Sequence, residues 1–87
     1  MAWVQRFEDH LIRRARRRAR PIVVRIYDCL KRRFTDPRIR WDDYRFRVIP
    51  PDGTTALRIF NHMFEGHFVE KYGVGLRLDQ NDHIWIF

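Results

Sequence analysis

Apolar residues recur at helical spacing through the first third of the chain. With Ala15 set at zero and each residue advancing by about 100°, Val4, Phe7, Leu11, Ala19, Ile22, Ile26 and Leu30 all fall within about 80° of it. Arg6, Arg13, Arg17 and Arg20 gather within about 40° of the opposite pole, which leaves one face to bury and one to solvate. Pro21 removes a backbone donor and collides with the turn before it, so the pattern predicts helices near 3–20 and 21–34, with a single kinked helix as the alternative. Thr35-Asp36-Pro37 stops the run, because the residue ahead of a proline is pushed out of the helical region.

From Ile39 the period shortens to two. Tyr44, Phe46 and Val48 alternate with Arg45 and Arg47, as in a strand with one buried face, and Pro50-Pro51-Asp52-Gly53 reads as a turn. Thr54 or Thr55 is placed to cap a helix that carries Leu57, Phe60, Met63, Phe64, Phe68 and Tyr72 on one side and ends at Gly73. Val74, Leu76 and Leu78 then alternate with Gly75, Arg77 and Asp79. Gln80-Asn81-Asp82 reads as a hairpin loop leading to His83–Phe87. The expected order is α-α-β-α-β-β: an α+β fold in which an Arg-rich helix or kinked helix pair precedes a β-α-β-β unit with a small, at least partly antiparallel sheet packed on the helices. Residues 1–87 are read as one small domain, with a basic helical segment at 1–36 and the β-α-β-β unit at 37–87.

Charge adds direction to this pattern. The 87 residues carry a formal charge of +7. Residues 1–40 hold thirteen cations against four acids, whereas residues 41–87 hold five against seven. Six arginines fall between positions 13 and 20: Arg13, Arg14, Arg16, Arg17, Arg18 and Arg20. Like charges this dense repel, so an anionic partner would relieve a real cost. Aromatics at 15% and hydrophobic residues at 45% are too many for an intrinsically disordered chain. The longest apolar run, Ile84–Phe87, falls far short of the roughly 20 residues of a membrane span. One cysteine, Cys29, can form no internal disulfide, which fits a reducing compartment such as the cytoplasm; between Ile26 and Leu30 it is expected to be a packed, inert thiol.

Strand parity defines a second candidate surface. If Tyr44, Phe46, Val48, Val74, Leu76, Leu78, Ile84 and Ile86 face the helices, then Arg45, Arg47, Arg77, His83, Trp85 and Phe87 share the other face. Arginine beside aromatic rings is the chemistry by which sheet surfaces hold single-stranded nucleic acid. Catalytic patterns are thin. Serine is absent, and His62 and His67 stand about 140° apart on a helix. Asp42, Asp43, Asp79, Asp82 and His83 suit turn chemistry as well as a metal, and no metal or cofactor is assigned. The pattern thus points to a small non-enzymatic nucleic-acid-binding protein, RNA or single-stranded DNA preferred, with Arg6, Arg13, Arg14, Arg16, Arg17, Arg18, Arg20, Arg45, Arg47, Arg77 and Trp85 as contacts. The alternative is a protein-interaction module that docks an acidic partner through the basic helix. Its C-terminal strand would pair with that partner or with a second copy, because Ile84–Phe87 left as a free edge would invite aggregation.

Overall fold

Pro21 divides the N-terminal helical segment in two. The computed structural model describes the backbone of residues 2–87 and the side chains from residue 5 onward. In it α1 (Ala2–Arg18) stops before Ala19, and α2 (Pro21–Arg33) starts with the proline in its first turn. Arg20 between them is extended (φ −61°, ψ 131°), and its carbonyl accepts from the amides of Val23 and Val24. Proline has no amide to satisfy at that position and forbids the preceding turn, so two helices result. Val4, first of the expected stripe, lies outside the described side chains.

The remainder is a four-stranded antiparallel sheet with two further helices: β1 (Arg40–Asp42), β2 (Arg47–Ile49), α3 (Gly53–Glu65), α4 (Phe68–Tyr72), β3 (Leu76–Leu78) and β4 (Ile84–Ile86), with strand order β1-β2-β4-β3. The protein is an α+β fold with a small sheet packed on helices. Register places Trp41, Val48, Ile84 and Leu78 in one row across the sheet. That row meets Val23, Ile26, Tyr27 and Leu30 of α2 and Ile59 and Met63 of α3 in a single buried cluster. Tyr27 is its centre, edge-on to Trp41 at 5.6 Å and to Phe46 at 5.3 Å.

Several expectations need correction. The strand expected over Tyr44–Val48 is instead a hairpin, because Asp42 Oδ1 accepts from the amides of Tyr44 and Arg45 and turns the chain before β2 begins. Phe46 closes that turn at φ 55°, a left-handed conformation costing of order 1–3 kcal/mol in a non-glycine residue. Complete burial of its ring against Tyr27 offsets the cost. Tyr44 is thereby left 47% exposed instead of facing the core, and Arg45 sits in the turn, off the sheet face.

The helix expected to run unbroken to Gly73 breaks at Gly66 and His67, the latter at φ 55°. A Cβ at Gly66 would run into the Phe68 ring and the His62 carbonyl, so α4 can fold back only where a side chain is missing. Gly73 does end α4, in the left-handed conformation. The cap of α3 is Asp52, whose side chain accepts from the Thr55 amide at 2.8 Å, and neither threonine takes that role. The buried side of α3 is Ala56, Ile59 and Met63, so Leu57 and Phe64 point outward at 53% and 70% exposed. Cys29 is exposed, accepting at its Sγ from Arg32 Nη2, and is not packed away. The C-terminal strand, whose edge was expected to need covering by a partner, a second copy or another element of the fold, lies between β2 and β3 with both sides hydrogen-bonded; the edges of the sheet are β1 and β3.

Candidate nucleic-acid interface

Among the described residues, helix α1 is held toward its C-terminal end. Ala15 and Ala19 pack against the core, their lack of bulk letting the helix approach, and Leu11 and Ile12 are half-buried. Every described side chain from residue 5 to residue 10 is exposed, Phe7 included. Two arginines of the basic run anchor the helix. Arg16 donates from Nη1 and Nη2 to the two carboxylate oxygens of Asp28 on α2, at 3.1 and 2.6 Å. Arg20 donates from Nη2 to the Gly73 carbonyl at 3.0 Å and from Nη1 to that of Phe87 at 3.5 Å, tying the helix junction to the far end of the chain.

The other arginines of α1 have no such duty. Among the described residues, Arg6, Arg13, Arg14, Arg17 and Arg18 are exposed and make no ion pair or side-chain hydrogen bond. Arg17 and Arg18 in the last turn also complement the negative end of the helix dipole, which favours their charge there. With α1 included, the extents of the molecule are 42 × 27 × 23 Å. Arg25, on the exposed side of α2, likewise makes no ion pair or side-chain hydrogen bond among the described residues. Its signal in the sequence was its place on the polar side of the second helix, obscured by the denser run before it.

The outer face of the sheet is arranged differently. Register aligns Asp42, Arg47, Trp85 and Arg77 in one row, one residue from each strand. Arg47 donates from Nε and Nη2 to Asp42 Oδ2 at 3.2 and 3.0 Å, and its Cζ stands 5.0 Å from the Trp85 ring centroid. Arg77 approaches the same ring from the opposite neighbouring strand at 5.2 Å. The indole N–H donates to Asp79 Oδ2 at 2.8 Å, while Asp79 Oδ1 accepts from the amides of Asn81 and His83. Trp85 is thus flanked by two guanidiniums and anchored at its nitrogen. The residue itself is half-buried in this row. Cation–π pairs of this type contribute about 0.5–1 kcal/mol each near a surface. The row reads as a strap across the sheet, with Arg77 its only exposed cation.

The remaining candidates are likewise accounted for. Arg45 approaches Asp42 at 3.5 Å and is otherwise exposed. Asp43 accepts from the Tyr27 hydroxyl at 2.6 Å and from Lys31 at 3.0 Å. Among the described residues no group of three or more His, Cys, Asp or Glu side chains is placed to hold a metal ion, and no helix is long and apolar enough to cross a membrane. Comparison with protein-family models, with curated proteins and with solved structures gave no match.

These bonds make stability depend on pH at both ends of the scale. Hydrogen bonds from Arg16 hold the Asp28 carboxyl below its ordinary value. Burial of Asp42 favours the neutral acid, but the amides of Arg45 and Tyr44 and the Arg47 guanidinium outweigh it, so that carboxyl is also lowered. The Trp85 indole and the amides of His83 and Asn81 lower Asp79. Burial, then the hydrogen bond to Asp43, raises Tyr27. A lowered carboxyl stabilises the fold above the unfolded value of about 3.9 and loses that contribution as pH falls through the folded value. A raised phenol stabilises below its unfolded value of about 10 and loses the contribution as pH rises through the folded one. Urea midpoints measured from pH 2.5 to 11 are therefore expected to stay level near neutrality and to drop at both ends. A midpoint unchanged at pH 2.5 would contradict the bonding at Asp28, Asp42 and Asp79.

Proposed function

We propose that the protein binds nucleic acid without catalysis of its own, gripping the phosphate backbone with α1. The observation that carries this reading is the set of exposed arginines on that helix, Arg6, Arg13, Arg14, Arg17 and Arg18, with no carboxylate partner among the described residues. Arg16 and Arg20 of the same run are occupied within the fold, which separates cations that hold the protein together from cations left for a ligand. Arginine forks match phosphate oxygens, and contacts of this kind give affinity and position without reading base identity. A preference for single strands over duplex would rest on Trp85, which Arg47 and Arg77 flank, whereas the α1 arginines suit either.

Fluorescence anisotropy with labelled single-stranded RNA, single-stranded DNA and duplex DNA, each over a range of salt, tests this. Micromolar or tighter binding is expected, with log affinity falling linearly against log salt at a slope of about 0.7 to 0.9 per phosphate contact. Absence of binding to all three at 100 mM salt would refute it. The second reading, docking on an acidic protein surface, has the exposed Phe7 in its favour, since an apolar ring beside cations suits a protein interface. That reading predicts capture of a single stoichiometric protein that survives nuclease treatment. It now rests on the helix alone, because β4 has no free edge to lend.

A further inference from the structure

A cleft among the described residues lies away from α1. It encloses about 600 Å³ between the last turn of α2, the loop that follows it and one side of α3. Its volume is within the range of small-ligand sites, about 300–1,000 Å³. Phe34 lines it, half-buried, with the Arg33 guanidinium 5.7 Å from the ring centroid. His62 stands edge-on between Phe34 and Phe68, at 5.5 and 5.8 Å, so its ring orientation is set by packing. Arg58, Asn61 and Glu65 project from the same side of α3.

The polar groups of this cleft are unspent. Among the described residues, Arg33, Arg58, Asn61, His62 and Glu65 make no side-chain hydrogen bond or ion pair. Asp36, which would otherwise oppose an anion there, is held by Arg38 through Nη2 at 2.9 Å and Nε at 3.2 Å. That leaves two free guanidiniums, one free carboxylate, an amide and an aromatic wall in one open space. A bare phosphate would use only the guanidiniums, and an apolar ligand would leave every charge unmet.

We propose that this cleft binds one nucleotide unit, with its phosphate on Arg33 and Arg58, its base against Phe34 and its base edge on Asn61 and Glu65. Arginine supplies the bidentate phosphate contact, an aromatic face stacks any base, and a carboxylate accepts from an exocyclic amino group. Adenine, guanine and cytosine carry such a group and uracil does not, so uridine nucleotides should bind least well. The unit can come from a free nucleotide or from a strand, and the chemistry is shared. The proposal does not depend on the role assigned to α1.

The test is an NMR titration of the full chain with AMP, GMP, CMP, UMP, ribose 5-phosphate and inorganic phosphate in turn. Amide signals of Arg58, Asn61 and His62 and the His62 ring protons should shift with AMP, GMP or CMP at a dissociation constant on the order of 0.1–1 mM. UMP should bind roughly tenfold more weakly, the worth of one good polar contact, and ribose 5-phosphate, which has no base to stack, more weakly still. Arg58→Gln should cost about tenfold for every nucleotide, and Glu65→Gln should narrow the gap between UMP and the others. Shifts no larger with AMP than with inorganic phosphate, or none at these residues, would overturn the proposal. A short oligoadenylate is then added to a variant in which Arg13, Arg14, Arg17 and Arg18 are all Gln, so that the result is independent of α1. Cleft shifts at lower concentration than AMP requires support the site and assign the unit to a strand. Shifts with AMP and none with the oligonucleotide support it and assign a free nucleotide.

Discussion

Replacing Arg13, Arg14, Arg17 and Arg18 together by Gln is expected to lower nucleic-acid affinity by about three orders of magnitude at 0.1 M salt, and to flatten the log–log salt dependence by roughly three units. Both numbers follow from one cause. Each phosphate contact releases about 0.7–0.9 of a condensed counterion, so four lost contacts remove four times that from the slope. At 0.1 M salt, one decade below the standard state, each unit of slope is also worth about tenfold in affinity. The fold should survive, since none of the four side chains bonds to another part of the described structure and Gln keeps helical propensity. Arg16→Gln is the internal contrast, because it removes the pair to Asp28 and should act on stability more than on binding. Trp85→Leu, which removes the aromatic face, completes the set. If Trp85 is a strap under Arg47 and Arg77, this variant keeps its affinity for single strands; a loss as large as that of the quadruple variant would restore the stacking surface.

The same residue type therefore carries two duties, sorted by what lies within reach. Arg16, Arg20, Arg38 and Arg47 each find an oxygen and spend their charge on the fold. The free arginines of α1 lie on its exposed side, and among the described residues none of them is paired with a carboxylate. Charge per residue was visible in the chain; neighbours were not. Asp28 lies twelve residues from Arg16, and Gly73 lies 53 from Arg20, so neither bond leaves a local pattern.

Much of the architecture was legible for the same reason that some of it was not. Helical spacing over residues 4–30 and strand alternation at 74–78 are repeats long enough to declare their period, and Pro21 and Gly73 are punctuation whose meaning is steric. The hairpin at Asp42–Arg47 was hidden because the alternation of Tyr44, Phe46 and Val48 outweighs the turn signal of Asp42 and Asp43, and a phenylalanine at positive φ gives no turn signal at all. Alternation of Tyr44, Phe46 and Val48 was real in the sequence and accidental in the fold. Arg47 and Arg77 do share a face with Trp85, but the pairing of Arg47 with Asp42, an acid whose pattern suits turn chemistry, is not visible in the alternation. The cleft beside Phe34 was unreadable, since it joins residues 33–39 to residues 55–65 only through packing.

Ile59→Ala is expected to cost about 2–5 kcal/mol, whereas Phe64→Ala should change stability by no more than about 0.5 kcal/mol. Hydrophobicity alone gives the reverse order, because the phenylalanine is the larger side chain and its spacing with Leu57 and Phe60 makes a convincing stripe. Position decides. Ile59 is fully buried between α2 and the sheet, so truncation both exposes its neighbours and leaves a cavity, while Phe64 is 70% exposed and has little contact to lose. In a chain of this length each kcal/mol moves the midpoint by about 4–8 °C, so Ile59→Ala should lower Tm by roughly 10 °C at least. Thermal melts of the two variants side by side therefore report which way α3 is turned. Equal losses would mean that Phe64 is inside and that the helix is rotated toward the Leu57 stripe. Unequal losses in the stated order would fix Arg58, Asn61 and Glu65 on the side of α3 that faces residues 33–39, the arrangement on which the nucleotide cleft depends.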